Sequence, residues 1–125
     1  VTGLDHGIYL YKPETHELLL LTKGDKRAGL CDAAYGQGWI REAPVSFVFS
    51  AVFERTCAKY GTRGRERYVC MDLGHSGQNV CLQSPAMGLG TVPIGAFQDE
   101  QVKLVTGMTR EEEALYVMPV GRLED

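Results

Sequence analysis

Residues 65–97 read RERYVCMDLGHSGQNVCLQSPAMGLGTVPIGAF, a helical pattern that runs into a glycine-rich, proline-bearing turn. Val69, Leu73, Val80 and Met87, with the small Gly77 and Ser84, recur at spacings of three and four, which sets them on one packing face of a helix. From Arg65 to Met87 such a helix is roughly 35 Å long at 1.5 Å per residue, enough to cross a domain or a subunit boundary. Gly74 and Gly77 each cost about 1 kcal/mol relative to alanine in a helix interior, so a close helix crossing or a flat ligand is expected to offset them. Pro85 removes one backbone hydrogen bond and crowds the Cys81 carbonyl, so the last turn is expected to kink or loosen, with Gly88 and Gly90 ending the helix. The following GLGTVPIGAF is apolar but too rich in glycine and proline for an ordinary strand. A segment of that kind can present bare amides to a ligand.

Working outward, the chain before this helix reads as sheet and short helices. Gly7 to Tyr11 and Glu17 to Thr22 are apolar β-forming runs separated by a turn with Pro13, a β-hairpin. Residues 24–36 predict a short helix with Asp25 at its start and an end near Gly36. Trp39 and Ile40 in GQGWI are expected to anchor that segment against the core, the favoured reading, or near the edge of a ligand site. Val45 to Ser50, β-branched and aromatic, is the best candidate for a central strand. Ala51 to Tyr60 turns helical, and the break over residues 61–64 is flanked by Arg55, Lys59, Arg63, Arg65 and Arg67, either a solvated surface or contacts for an anionic ligand. Downstream, residues 98–107 predict a helix with an acidic first turn and Gly107 near its end, residues 110–113 a solvated charge run, and Ala114 to Val120 a strand. The sum is one α+β domain over residues 1–125, a mixed sheet of about four strands packed with helices, one of them long and central.

Composition narrows the functional classes. With 125 residues, 44% hydrophobic and 23% charged, there is room for one modest core and no second domain. A net charge of −3 and dispersed Lys and Arg leave no basic footprint for nucleic acid. The longest apolar run, residues 43–53, is interrupted by Pro44, Ser46 and Ser50 and is too short to span a bilayer. No secretory signal is visible, so a cytoplasmic protein is expected, and a start at Val1 leaves room for a preceding segment. Cys31, Cys57, Cys70 and Cys81 lack a CxxC pair and read as buried free thiols, while His6, His16 and His75 are scattered, so no metal site is expected.

HSGQNVCLQSPAMGLGTVPIGAFQDEQV, closing later with LYVMPVG, resembles the C-terminal half of the FMN-dependent nitroreductase family in the order and spacing of helix, GLG turn, PIxGF-like segment and closing strand. HGIYLYKPETHELLLL, AVFERTCAKYGTRGRERY and GHSGQN resemble more narrowly its SagB-type branch, which includes the azoline dehydrogenases of thiazole and oxazole peptide biosynthesis. The family's arginine- and serine-rich FMN phosphate motif and its serine-alanine-glycine loop lie upstream of this hairpin and have no counterpart in these residues. The resemblance therefore implies the C-terminal portion of a nitroreductase-like fold, half of a flavin site.

The same resemblance implies the site. Pro93, Ile94, Gly95 and Ala96 match the PIxGF-like motif and would lie along the FMN isoalloxazine ring with amides directed at its redox edge; Phe97 would be core. The family often has an acidic residue where Gly95 stands, so the contact here would come from backbone alone. Arg122, after the closing strand, is a candidate for the FMN phosphate or a plain surface charge. Lys59 and Tyr60 in AKYG match the lysine-tyrosine pair of the azoline dehydrogenases, implicated there in removing a proton as hydride leaves to the flavin. A lysine desolvated beside an apolar wall near Arg63 suits a general base, and a tyrosine can relay the proton; ordinary surface and core roles remain the alternative. Two functions follow: an FMN oxidoreductase, or a piece of one, acting on a heterocyclic peptide or a small oxidised molecule, or a non-catalytic remnant that keeps the fold as a dimerisation or binding module. A homodimer is implied in either case, because flavin sites in this family form between two subunits.

Overall fold

In a computed structural model, which describes residues 1–123, the hairpin forms as its turn chemistry dictates: β1 (Gly7–Lys12) pairs antiparallel with β2 (Glu17–Lys23). His16 takes the positive φ of the turn, and its Nδ1 lies 3.0 Å from the Tyr11 hydroxyl. Leu10, Tyr11, Leu18, Leu19 and Leu21 are all exposed, so the hairpin is held by its own ladder and contributes nothing to the core.

The first helix is shorter than its pattern. α1 (Arg27–Ala33) starts where the Arg27 amide and guanidinium donate to the Asp25 carboxylate, which Arg27 holds well below the usual carboxylate range. Its end comes at Tyr35 and Gly36, both in the left-handed region. α2 (Gly38–Glu42) follows, with Ile40 fully buried. Trp39 does not join it and is 59% exposed. Successive residues on a helix point about 100° apart, so a five-residue helix that seats Ile40 turns its neighbour to solvent.

The second sheet has the order β3-β5-β4, antiparallel throughout: β3 (Val45–Ala51), β4 (Gly90–Thr91) and β5 (Glu113–Gly121). The central strand is therefore β5, and Val45–Ser50 lies on an edge. Of its β-branched and aromatic residues, Val48 packs against the core while Phe47 is exposed, so the composition reflects a partly buried strand rather than a central position in the sheet. The described strands fall into two sheets, one more strand than the single sheet of about four expected.

One face of this sheet, with Val117, Val48 and Ile94 side by side, packs on Leu30, Ile40 and Val102 from α1, α2 and α5 (Asp99–Thr106). α5 carries Asp99 and Glu100 in its first turn and ends on Gly107 at φ +72°. The other face, with Tyr116 and Met118, receives the long helix. That helix is prepared by α3 (Glu54–Tyr60), a turn on Gly61 at φ +59° and a π-helical turn, Gly64–Tyr68, before α4 (Val69–Ala86).

Val69, Gly77 and Ser84 are buried and Leu73 and Val80 half-buried, the stripe expected from the spacing. Met87 leaves it and is 64% exposed, because α4 has already ended. Gly88 at φ +70° closes the helix: its amide donates to Pro85 O and the Leu89 amide to Ser84 O, so two orphan carbonyls are satisfied and the missing donor of Pro85 falls in the last turn. Cys31 is buried, Cys57 and Cys81 are partly so, and Cys70 is exposed rather than buried; all four are free. Among the described residues no helix is long and apolar enough to cross a membrane, and no cluster of His, Cys, Asp and Glu could hold a metal.

Candidate functional site

The loop from Val92 to Gln98 crosses from the edge of the sheet to α5, and its backbone groups are partitioned. Pro93 has no N–H. The Ile94 amide donates to Val117 O and its carbonyl accepts from the Val117 amide, each at 2.9 Å, while its side chain is buried in the core. Phe97 is buried as expected, and the Gln98 amide donates to Ala33 O at 2.8 Å. Between these anchors the amides of Gly95, Ala96 and Phe97 find no acceptor among the described residues. Gly95 and Ala96 are exposed.

Of the four residues read from the motif, two thus offer free amides on the surface, one is committed to the sheet and the core, and Pro93 shapes the approach. Among the described residues a Cβ built on Gly95 meets only Tyr116 Cε1, at 4.0 Å, so the position a side chain would take there is open. Consecutive unpaired N–H groups on an exposed turn form a donor edge suited to an acceptor that gains negative charge.

Lys59 and Tyr60 stand elsewhere, at the end of α3. Both are exposed; Lys59 Nζ lies 5.1 Å from the Tyr60 ring centroid, the cation-on-ring contact its flexible stem allows. Tyr60 meets Tyr68 edge to face at 5.0 Å, and Arg63 Nε donates to the Tyr68 hydroxyl at 2.8 Å. What adjoins Lys59 is therefore an aromatic ring in solvent, not an apolar wall. The turn that makes this pairing depends on Gly64, where a Cβ would stand 3.1 Å from the Thr56 side chain and 3.2 Å from the Cys57 backbone.

Arg65, next along, is spoken for: it donates to Glu113 at 2.8 Å, lies 4.3 Å over the Phe53 ring, and is raised from the ordinary arginine value by that carboxylate. Arg122 is exposed beyond β5, about five strand residues or roughly 16 Å from the Val117–Ile94 bridge. The fold does not bring Arg122 to the Gly95–Ala96 edge.

Two contributors escaped the motif reading. Tyr116 has its ring between Gly77 and Gly95, and Gln37 ties the loop to the corner after α1. Neither sits in a recognisable pattern; only the strand alternation around Val117 hints that Tyr116 faces the long helix.

This combination of a long helix, a closing antiparallel strand and an amide-bearing loop between them has clear relatives. Residues 4–122 match the nitroreductase family, and the chain belongs to that family. It is 40% identical over 122 residues to a "putative nitroreductase" of Methanocaldococcus jannaschii, a match that takes in 98% of this chain and 60% of that protein. Among solved structures, a "putative nitroreductase" from Anabaena variabilis superposes with a TM-score of 0.93 at 34% identity, over 99% of this chain and 25% of that one. The NADPH:FMN oxidoreductase of Vibrio harveyi, solved with NAD+, gives a TM-score of 0.65 at 26% identity, over 80% of this chain and 46% of that one. The chain thus spans about 60% of the length of the curated relative it matches.

Proposed function

We propose that this chain forms one side of the flavin site of an FMN-dependent oxidoreductase. The observation that carries the reading is the donor edge at Gly95 and Ala96: exposed amides without acceptors among the described residues, on a loop otherwise fixed at both ends. FMN, when bound, supplies hydride transfer, and what the chain contributes is orientation and donors toward the flavin edge that becomes negative on reduction. Open space over Gly95 fits a flat ring; a bulky side chain there would fill it. Membership of the nitroreductase family and the likeness to an NADPH:FMN oxidoreductase support the cofactor. Arg122 would meet the phosphate as an exposed cation beyond β5.

The visible absorption spectrum of the purified full-length protein tests this directly. Bound FMN is the expected result. A colourless protein that takes up no added FMN would instead support a non-catalytic module. Gly95→Val is expected to lower FMN content without unfolding the chain, since its φ is unexceptional and its surroundings are open; unchanged stoichiometry would sink the assignment.

The narrower form of the proposal is a SagB-type dehydrogenase that oxidises an azoline in a peptide, with Lys59 as base and Tyr60 as relay. Its support is the AKYG match together with the contact between the two side chains. A small oxidised acceptor reduced at the expense of a nicotinamide is the broader reading, and turnover with each substrate separates them.

A further inference from the structure

Gln37 is half-buried at the start of α2, and its side chain is oriented by chemistry that leaves no choice: Nε2 donates to Ala34 O and to Ala96 O, each at 2.9 Å. Both acceptors are carbonyls, so the nitrogen of the amide must face them. The corner that presents it is unusual. Tyr35 and Gly36 both take positive φ, the Gln37 amide donates back to Ala34 O at 3.3 Å, and Cys31 Sγ donates to Gln37 O at 3.3 Å. One short segment, residues 31–37, thereby fixes its own backbone and hands a single donor group to the neighbouring loop at the surface.

What that donor holds is the peptide joining Ala96 to Phe97. The loop's other anchors are Ile94 on β5 and the Gln98 amide on Ala33 O. Without Gln37 the stretch between them, which carries the free amides of Gly95 and Ala96, would have no polar tether of its own. The Ala96 carbonyl is exposed, so water would take the place of Gln37 there, and what is lost is the fixed orientation rather than a buried hydrogen bond.

Resting on the flavin reading above, we infer that Gln37 is a positioning residue: it touches no cofactor, and its amide fixes the Ala96 peptide so that the donor edge keeps a single orientation toward the flavin. Preorganised donors act only if they stay put while charge develops, which is why a tether one peptide away matters.

The test uses the full-length holoenzyme and measures the FMN dissociation constant after reconstitution, the flavin reduction potential and the unfolding midpoint. Gln37→Glu keeps the shape but sets carboxylate oxygens against two carbonyls. We expect FMN affinity to fall by tenfold or more at pH 7.5, the reduction potential to become more negative, and affinity to recover in part as pH falls below the ordinary glutamate value of about 4.3, where a protonated carboxyl regains one donor. Gln37→Met, which keeps the length and loses both donors, carries the same expectation without the recovery at low pH, and it serves if Gln37→Glu fails to fold. FMN affinity and potential unchanged within twofold and experimental error in the folded variants, with only the unfolding midpoint lowered, would overturn the inference and leave Gln37 a structural tie. Gly95→Val is the control that separates the two levels. If it abolishes FMN binding while the Gln37 variants bind normally, this inference alone fails; if it too binds normally, the flavin reading fails and the inference with it.

Discussion

Gly77 lies under the ring of Tyr116: a Cβ built on the glycine would stand 3.1 Å from Tyr116 Cε2 and 3.3 Å from Cδ2. The opposite edge of the same ring is 4.0 Å from the corresponding position on Gly95. One side chain of β5 therefore fills the space between the long helix and the donor edge, and the glycine in the helix exists to admit it. The helix crossing expected from Gly77 is a helix-on-sheet contact instead.

Enlarging residue 77 should consequently act on both the core and the loop. Gly77→Ala places its methyl tightly against a half-buried ring that can shift by a few tenths of an ångström, and alanine returns about 1 kcal/mol of helix propensity, so stability should stay within about 1 kcal/mol of the parent. Gly77→Leu overfills the site and should lose about 1–3 kcal/mol in urea denaturation of the full-length protein, with weakened FMN binding as Tyr116 is driven toward Gly95. Adding Tyr116→Ala to Gly77→Leu should recover part of that loss. Strict additivity of the two changes would contradict the packing relationship.

A second expectation concerns acid. Burial raises the Glu112 carboxyl, but hydrogen bonds outweigh it: the Thr109 amide and the Ser50 hydroxyl each donate at 2.8 Å, and Arg55 adds a smaller attraction, so the group sits below its ordinary value. The unfolded chain then binds more protons than the folded one through this window. The stabilisation is present above the ordinary glutamate value of about 4.3 and is lost as pH falls through the lower folded value. Glu112→Gln should be less stable than the parent at pH 7, and the two should converge in unfolding free energy at the acid end. A constant gap from pH 7 down to pH 2 would contradict this.

Local pattern carried much of this architecture. The hairpin around Pro13, the stripe Val69–Gly77–Ser84, the acidic start and glycine end of α5 and the strand over Ala114–Val120 all follow from residues within a few positions of one another. The features that stayed hidden depend on long-range register. Gln37 and Ala96 meet across 59 positions, and nothing near either announces it. That β5 is central, that Trp39 faces out when Ile40 faces in, and that a π-helical turn brings Tyr68 to Tyr60 are likewise decided by how elements dock. The donor edge was readable only through family resemblance; which of its amides are free was not, because the Ile94 amide is consumed by a partner on a distant strand.

The outer side of α4 predicts assembly. Met71, Gly74, His75, Gln78 and Leu82 recur at helical spacing opposite the buried stripe; Met71 is 52% and Leu82 63% exposed, and a Cβ on Gly74 would meet nothing within 4 Å. No contact within the described chain accounts for a glycine there, whereas a partner's backbone would. We expect the full-length protein to sediment as a homodimer through this face, and Leu82→Glu or Gly74→Leu to shift it toward monomer at micromolar concentration. A parent protein that sediments as a monomer, with or without FMN, would count against it.

The last expectation concerns Lys59. Its ammonium rests 5.1 Å from the Tyr60 ring centroid, and Tyr60 is in turn braced by Tyr68, whose hydroxyl accepts from Arg63 at 2.8 Å. This arrangement could serve two chemistries that a single alanine substitution cannot separate. As a base, Lys59 must give up a proton before it can take one, and the exposed site requires substrate or the rest of the assembled protein to remove water from it. As a fixed cation, it need only hold charge against an anionic group of the substrate. Arginine distinguishes the two, because its guanidinium keeps its charge and its stacking on an aromatic ring but is not deprotonated in proteins. In the full-length enzyme with an azoline peptide, Lys59→Ala and Lys59→Arg should both retain FMN, and both should lose roughly 10²-fold or more in kcat if the base role is right. Retention of most activity by Lys59→Arg alone would assign the residue to substrate binding, visible as a raised KM in Lys59→Ala. Full turnover in both variants would remove Lys59 from the mechanism and leave it a surface charge at the end of α3.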